Sequence, residues 1–141
     1  MNKMRGFTLI EMMIVVAIIA ILAAIAVPNL LRSRIQTNEA SAVQGIRAIV
    51  SAQTSYNTQH GHYTQDFADL TVAVPPFLNG DWSKPKNGYT FTLSGTADNY
   101  SVNADPQFGV TGNHGFFCDG SGVIRSESGA SAGTASTPIG E

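Results

Sequence analysis

Apolar residues are spread very unevenly along this chain. Sixteen consecutive apolar positions run from Met12 to Val27. Beyond Pro28 the apolar positions thin to a stripe, and beyond Tyr56 they fall into short alternating runs. The first block suits a helix that is hydrophobic on every side and therefore buried in something. The stripe, Leu31, Ile35, Ala42, Ile46, Ile49, Gln53 and Tyr56, recurs at spacings of 3, 4 or 7, with Arg34, Asn38, Ser41, Gln44, Arg47 and Ser51 opposite. That is the period of an amphipathic helix. The two blocks together predict one long helix from Phe7 to about Tyr56. At 1.5 Å per residue such a helix is about 75 Å long. That exceeds a head built from about ninety remaining residues, so its first half is expected to protrude. Pro28 cannot donate an N–H to Ala24 and is expected to kink or loosen the helix there. Gly45 is expected to be a second soft spot.

After Tyr56 the polar, turn-rich segment 57–64 is expected to end the helix. Asp66 to Leu70 reads as a short helical turn, and 74–77 and 79–82 as loop. Tyr89–Leu93 and Tyr100–Ala104 alternate apolar and polar positions, the pattern of half-buried strands. Phe116–Cys118 and Val123–Arg125 flank Asp119-Gly120-Ser121-Gly122, a hairpin turn. Four short antiparallel strands would offer one apolar face to the amphipathic half of the helix. The fold class is α+β, with helix and sheet segregated. Residues 126–141 are rich in Gly, Ser, Ala and Thr. They lack the apolar residues that offset ordering entropy, and are expected to form a flexible, loosely attached tail.

One residue contradicts the first block. Glu11 sits at the front of a membrane-length apolar segment that contains no basic residue. A charge in hydrocarbon costs about 3 kcal/mol or more, so it needs a partner. A new α-amine, made by cutting the chain before Phe7, would supply one. The sequence therefore points to processing between Gly6 and Phe7, with Glu11 one helical turn beyond the new terminus.

The short basic leader Met1-Asn2-Lys3-Met4-Arg5-Gly6, the junction Gly6-Phe7, the spaced Glu11 and the apolar run occur together. This constellation resembles the class III signal of type IV pilins and type II secretion pseudopilins, without a break from Lys3 to about Arg34 and including Pro28. The resemblance implies cleavage after Gly6, N-methylation of Phe7, and an assembly role for Glu11. It also implies a division into leader (1–6), transmembrane or filament-core helix (7–28), globular head (29–125) and tail (126–141). The implied partners are further copies of the chain in a homopolymer, a prepilin peptidase/methyltransferase, an assembly ATPase, a platform protein and the inner membrane. The N-terminus would lie in the cytoplasm and the head outside it. The expected function is a structural subunit of a type IV pilus. A secretion pseudopilin is the alternative, and a monomeric, membrane-anchored binding module is a third. An ordinary secretory signal fits poorly, because Glu11 interrupts the approach and no cleavage region precedes Pro28.

Charge narrows the functions. The chain has 8 basic and 10 acidic residues. Loss of the leader removes Lys3 and Arg5, leaving six basic against ten acidic residues, or −4 before terminal charges. Nucleic-acid binders are usually basic with clustered Lys and Arg, so no direct nucleic-acid contact is expected. Cys118 is the single cysteine, which excludes an intrachain disulfide. His60, His62, His114 and Cys118 carry no zinc spacing, and the histidines read as solvated loop residues. Asp98, Asp105 and Asp119 are oxygen ligands of the kind calcium takes, and the resembling major pseudopilins staple their C-terminal loop with calcium. Asp-Gly turns need no metal, however, and the expectation kept here is no metal and no cofactor. No nucleophile motif, phosphate loop or framed carboxylate pair is present, so the chain does not read as an enzyme.

Overall fold

A computed structural model describes residues 6–140 of the chain. The leader residues Met1–Arg5, including Lys3 and Arg5, lie outside the described residues. The chain divides into two compact units, residues 1–34 and 35–141. One helix, α1 (Leu9–His60), runs from the first into the second.

The limits of α1 follow from local chemistry. At its start, Thr8 and Glu11 form a capping box. Glu11 N–H donates to the Thr8 hydroxyl (3.3 Å), and Thr8 N–H donates back to the Glu11 carboxylate (2.8 Å). Phe7 therefore lies outside the helix rather than beginning it. The helix also outlasts the expected end at Tyr56, because Asn57–His60 stay helical until Gly61. Gly61 takes φ 77° and donates its N–H to the Asn57 carbonyl at 2.7 Å, a glycine C-cap.

In the first unit every described side chain, from Gly6 to Arg34, is exposed. An 18-residue stretch of the helix has a mean hydropathy of 2.9 with none of it buried, so α1 is long and apolar enough to cross a membrane. Pro28 lies inside the helix without breaking it, and the Asn29 side-chain amide donates to the Ile25 carbonyl at 3.1 Å.

In the second unit the stripe of α1 is buried through Ala42, Ile46, Ile49, Ala52 and Gln53. These pack with Leu70 of α2 (Phe67–Thr71), with Leu78 and Trp82 of the following loop, and with the sheet. Asp66 caps α2 by accepting from Ala68 N–H at 2.9 Å. Gln53 is fully buried although polar. Its side-chain amide donates to the Thr64 carbonyl (2.7 Å) and its carbonyl accepts from Thr64 N–H (3.2 Å), so it pairs with the chain as a strand would. Gly45 is a point of close packing and not a soft spot. A Cβ there would lie 2.7 Å from Cζ of Phe91.

The sheet has five antiparallel strands in sequence order: β1 (Tyr89–Gly95), β2 (Tyr100–Pro106), β3 (His114–Asp119), β4 (Arg125–Ser128) and β5 (Thr137–Pro138). Register aligns Phe91, Ala104 and Phe116, and likewise Leu93, Val102 and Cys118. These side chains share the face that packs on the helix.

The segment expected to be a flexible tail is built into this sheet. Residues 125–128 and 137–138 are strands, and Ala132 between them is buried. Asn103 donates to the Ala132 carbonyl (2.8 Å), Gly129 N–H to the Asn113 carbonyl (2.8 Å), Arg125 to the Ser136 carbonyl (3.1 Å) and Ile139 N–H to the Ile124 carbonyl (2.9 Å). A Cβ on Gly115 would lie 3.1 Å from the Ala132 nitrogen, so the backbone comes close to the sheet there. Apolar content was the wrong measure for this segment: backbone hydrogen bonds and glycine contacts hold it.

Candidate processing and assembly site

The site lies wholly within the first unit. Residues 6–8 are not helical, Gly6 has no heavy atom within contact of where a Cβ would be, and Phe7 is 80% exposed. The Gly6–Phe7 peptide bond is thus open backbone next to a helix that is not, the usual condition for proteolytic access. One turn on, the Glu11 carboxylate accepts from the Thr8 hydroxyl (2.7 Å) as well as from Thr8 N–H. No cation meets it among the described residues, whose salt bridges are Asp81–Lys84 and Glu39–His114. Thr8 therefore gives Glu11 two hydrogen bonds but no charge. Thr8 was missed as a site residue, although the Thr-x-x-Glu spacing of a capping box signals it.

The remaining candidates do not converge. Among the described residues, no group of three or more His, Cys, Asp or Glu side chains could hold a metal ion. Asp119 pairs in register with Ser101 and Asp105 with Thr90. Residues 101 and 105 lie four positions apart on β2, about 13 Å. Asp98 sits in the β1–β2 turn. The Ser121 hydroxyl and N–H hold the Asp119 carboxyl below its ordinary range. Cys118 is fully buried, and burial pushes its thiol up to about 11, so it is an inert core residue. His114 Nδ1 lies 3.0 Å from Glu39, whose same oxygen accepts from the N–H groups of Asn113 (2.9 Å) and His114 (3.3 Å). His114 is thereby tied to α1, away from His60 and His62.

An exposed apolar helix that continues into a helix packed on a small antiparallel sheet defines the pilin-like class. Comparison with known proteins agrees. The family described as the prokaryotic N-terminal methylation motif matches residues 1–27. The chain is 36% identical over 102 residues to the type IV wide pilus major component PilA4 of Thermus thermophilus, covering 72% of this chain and 73% of that one. It is 33% identical over 129 residues to the type II secretion system core protein G of Vibrio cholerae, covering 79% and 88%. It is 48% identical over 71 residues to the type IV major pilin protein PilA of Myxococcus xanthus, covering 50% of this chain and 32% of that protein. No solved structure matches it. The chain belongs to the family of type IV pilins and type II secretion pseudopilins.

Proposed function

We propose that this protein is a structural subunit of a type IV pilus. It is made as a single-pass precursor in the inner membrane, cut between Gly6 and Phe7, methylated on the new amine, and polymerised through residues 7–28. The observation that carries this reading is the first unit itself, with every described side chain exposed and one carboxylate among large apolar residues. Such a surface needs a bilayer before assembly and other copies of itself afterwards. A repeated head-to-tail contact that does not close gives a helical filament. In that filament, Glu11 exchanges its Thr8 hydrogen bonds for the Phe7 amine of a neighbouring copy, and Pro28 marks where the helix can loosen on packing. The peptidase/methyltransferase, the assembly ATPase and the platform protein act on the chain, which performs no catalysis itself.

Two measurements test this. The intact mass of native material should correspond to a chain starting at Phe7 with one added methyl group; a start at Met1 or beyond Pro28 refutes the processing. Surface preparations should contain fibres of the subunit, and their absence under conditions of good expression refutes the pilus.

The likeness to the Vibrio core protein G, which extends over more of both chains than the likeness to the Thermus pilin, favours a second reading as a secretion pseudopilin. Calcium bound through Asp98, Asp105 or Asp119 would support that reading. We expect EDTA to leave the melting temperature of the head unchanged. Loss of an ion held at a hundred times its Kd would remove about 2.7 kcal/mol, and a drop of that size would reverse the choice.

A further inference from the structure

One side-chain cluster at the C-terminal end of α1 is left unused by assembly. His60 and His62 are both exposed there. His60 Nδ1 lies 3.2 Å from the Tyr56 carbonyl, and His62 Nδ1 lies 3.0 Å from the His60 carbonyl. A carbonyl oxygen only accepts, so each Nδ1 carries a proton and donates it. In the neutral rings, both lone pairs are then on Nε2. Metal-ligating histidines are oriented in this way, with the non-ligating N–H held by a carbonyl or carboxylate.

The rings are also positioned by packing. His60 stacks on Tyr56 with centroids 4.2 Å apart, and Phe77 meets Tyr56 and His60 edge-on at 5.6 and 6.1 Å. The His60 and His62 centroids are 6.1 Å apart. Metal–nitrogen bonds of about 2.1 Å on both Nε2 atoms allow a centroid separation of roughly 6.4 Å at most. The observed spacing lies within that ceiling, and a tetrahedral angle needs a further closure of about 1 Å, a small movement for exposed side chains.

We propose that His60 and His62 form a two-nitrogen binding site for a borderline divalent transition-metal ion such as Zn²⁺, Cu²⁺ or Ni²⁺. Imidazole ligands select these ions over calcium or magnesium, which take oxygen. The negative end of the helix dipole adds attraction for a cation. Water completes the coordination, so the ion is exchangeable and contributes nothing to the fold. The site is independent of the pilus reading and is present in every copy.

The full chain in detergent, titrated with Zn²⁺ by calorimetry and with Cu²⁺ by electron paramagnetic resonance, tests it. One ion per chain is expected, with a Cu²⁺ spectrum split by two imidazole nitrogens. His62→Gln should leave one of these nitrogens. The double variant His60→Gln/His62→Gln should lose at least about tenfold in affinity with an unchanged circular dichroism spectrum. His114→Gln should bind as the parent does. Parent-like binding by the double variant, a spectrum without imidazole nitrogens, or no stoichiometric binding by the parent overturns the proposal.

Discussion

The two units of this chain share one helix and use it in opposite ways. In residues 6–34 nothing described is buried, although most side chains are apolar. In residues 35–140 the helix is far more polar, yet Ala42, Ile46, Ile49, Ala52 and Gln53 are almost entirely shielded. Hydrophobicity alone does not decide burial within a subunit. A stripe of the right period can be covered by one sheet, whereas a helix apolar on all sides needs a surround that one small head cannot provide. The same contrast holds for the charged groups. Glu39 is satisfied from the sheet side by three N–H donors. Glu11 has only its own helix start, and the proposed assembly supplies the rest.

The sharpest way to break this comparison is at Glu11. Glu11→Ala removes one partner of the proposed intersubunit ion pair, a loss of about 3–5 kcal/mol per contact. Fibre yield should fall at least about a hundredfold, while precursor cleavage and the melting temperature of the head stay unchanged. Wild-type fibre yield would show that the first unit does not assemble through this charge.

Ile46→Ala should do the reverse. It truncates a fully buried core residue at a cost of about 2–5 kcal/mol. The head, cut from residue 35 onward to remove the exposed apolar surface, should melt at a clearly lower temperature as a soluble monomer. An unchanged midpoint would mean that the helix–sheet core is not what holds the second unit.

Gly45→Ala separates helix propensity from packing. In an exposed helix the change stabilises by about 1 kcal/mol. Here the new methyl group meets Phe91, and overpacking costs about 1–3 kcal/mol. Thermal unfolding of the head should show a net loss, and a gain would put Phe91 in a ring position that yields.

Thr8→Ala should weaken the helix start by about 1 kcal/mol and lower fibre yield less than Glu11→Ala does, with Thr8→Ser close to wild type. If alanine is harmless in a quantitative assembly assay, the capping box has no part in handling the Glu11 charge.

The smallest effect is expected at Asp119. Its folded-state pKa is depressed, chiefly by the Ser121 hydroxyl, so its stabilisation is present above the unfolded value of about 3.9 and fades as pH falls below it. Asp119→Asn should therefore narrow its gap to wild type in melting temperature between pH 6 and pH 3. A gap that is constant over this range would assign the residue's role to the turn alone.

Much of this was legible from the chain because it is local or periodic. A 3.6-residue stripe and an alternating strand each express their own backbone preferences. The carboxylate in the apolar run was equally visible, since its cost depends on composition and not on fold. The cap at Thr8 is equally local, since the Thr-x-x-Glu spacing carries it.

Tertiary structure alone decided three other things. Gly45 became a contact with Phe91 only when β1 was laid against the helix. The four candidate metal ligands were sorted by long-range pairing: His114 went to Glu39, Cys118 into the core, and only His60 and His62 stayed together. The Ser- and Gly-rich end joined the sheet because Asn103, Asn113 and Ile124 present hydrogen-bonding groups to it. Apolar pattern records which residues seek burial. It does not record which distant backbone groups will be left needing a partner, and that need is what orders a polar segment.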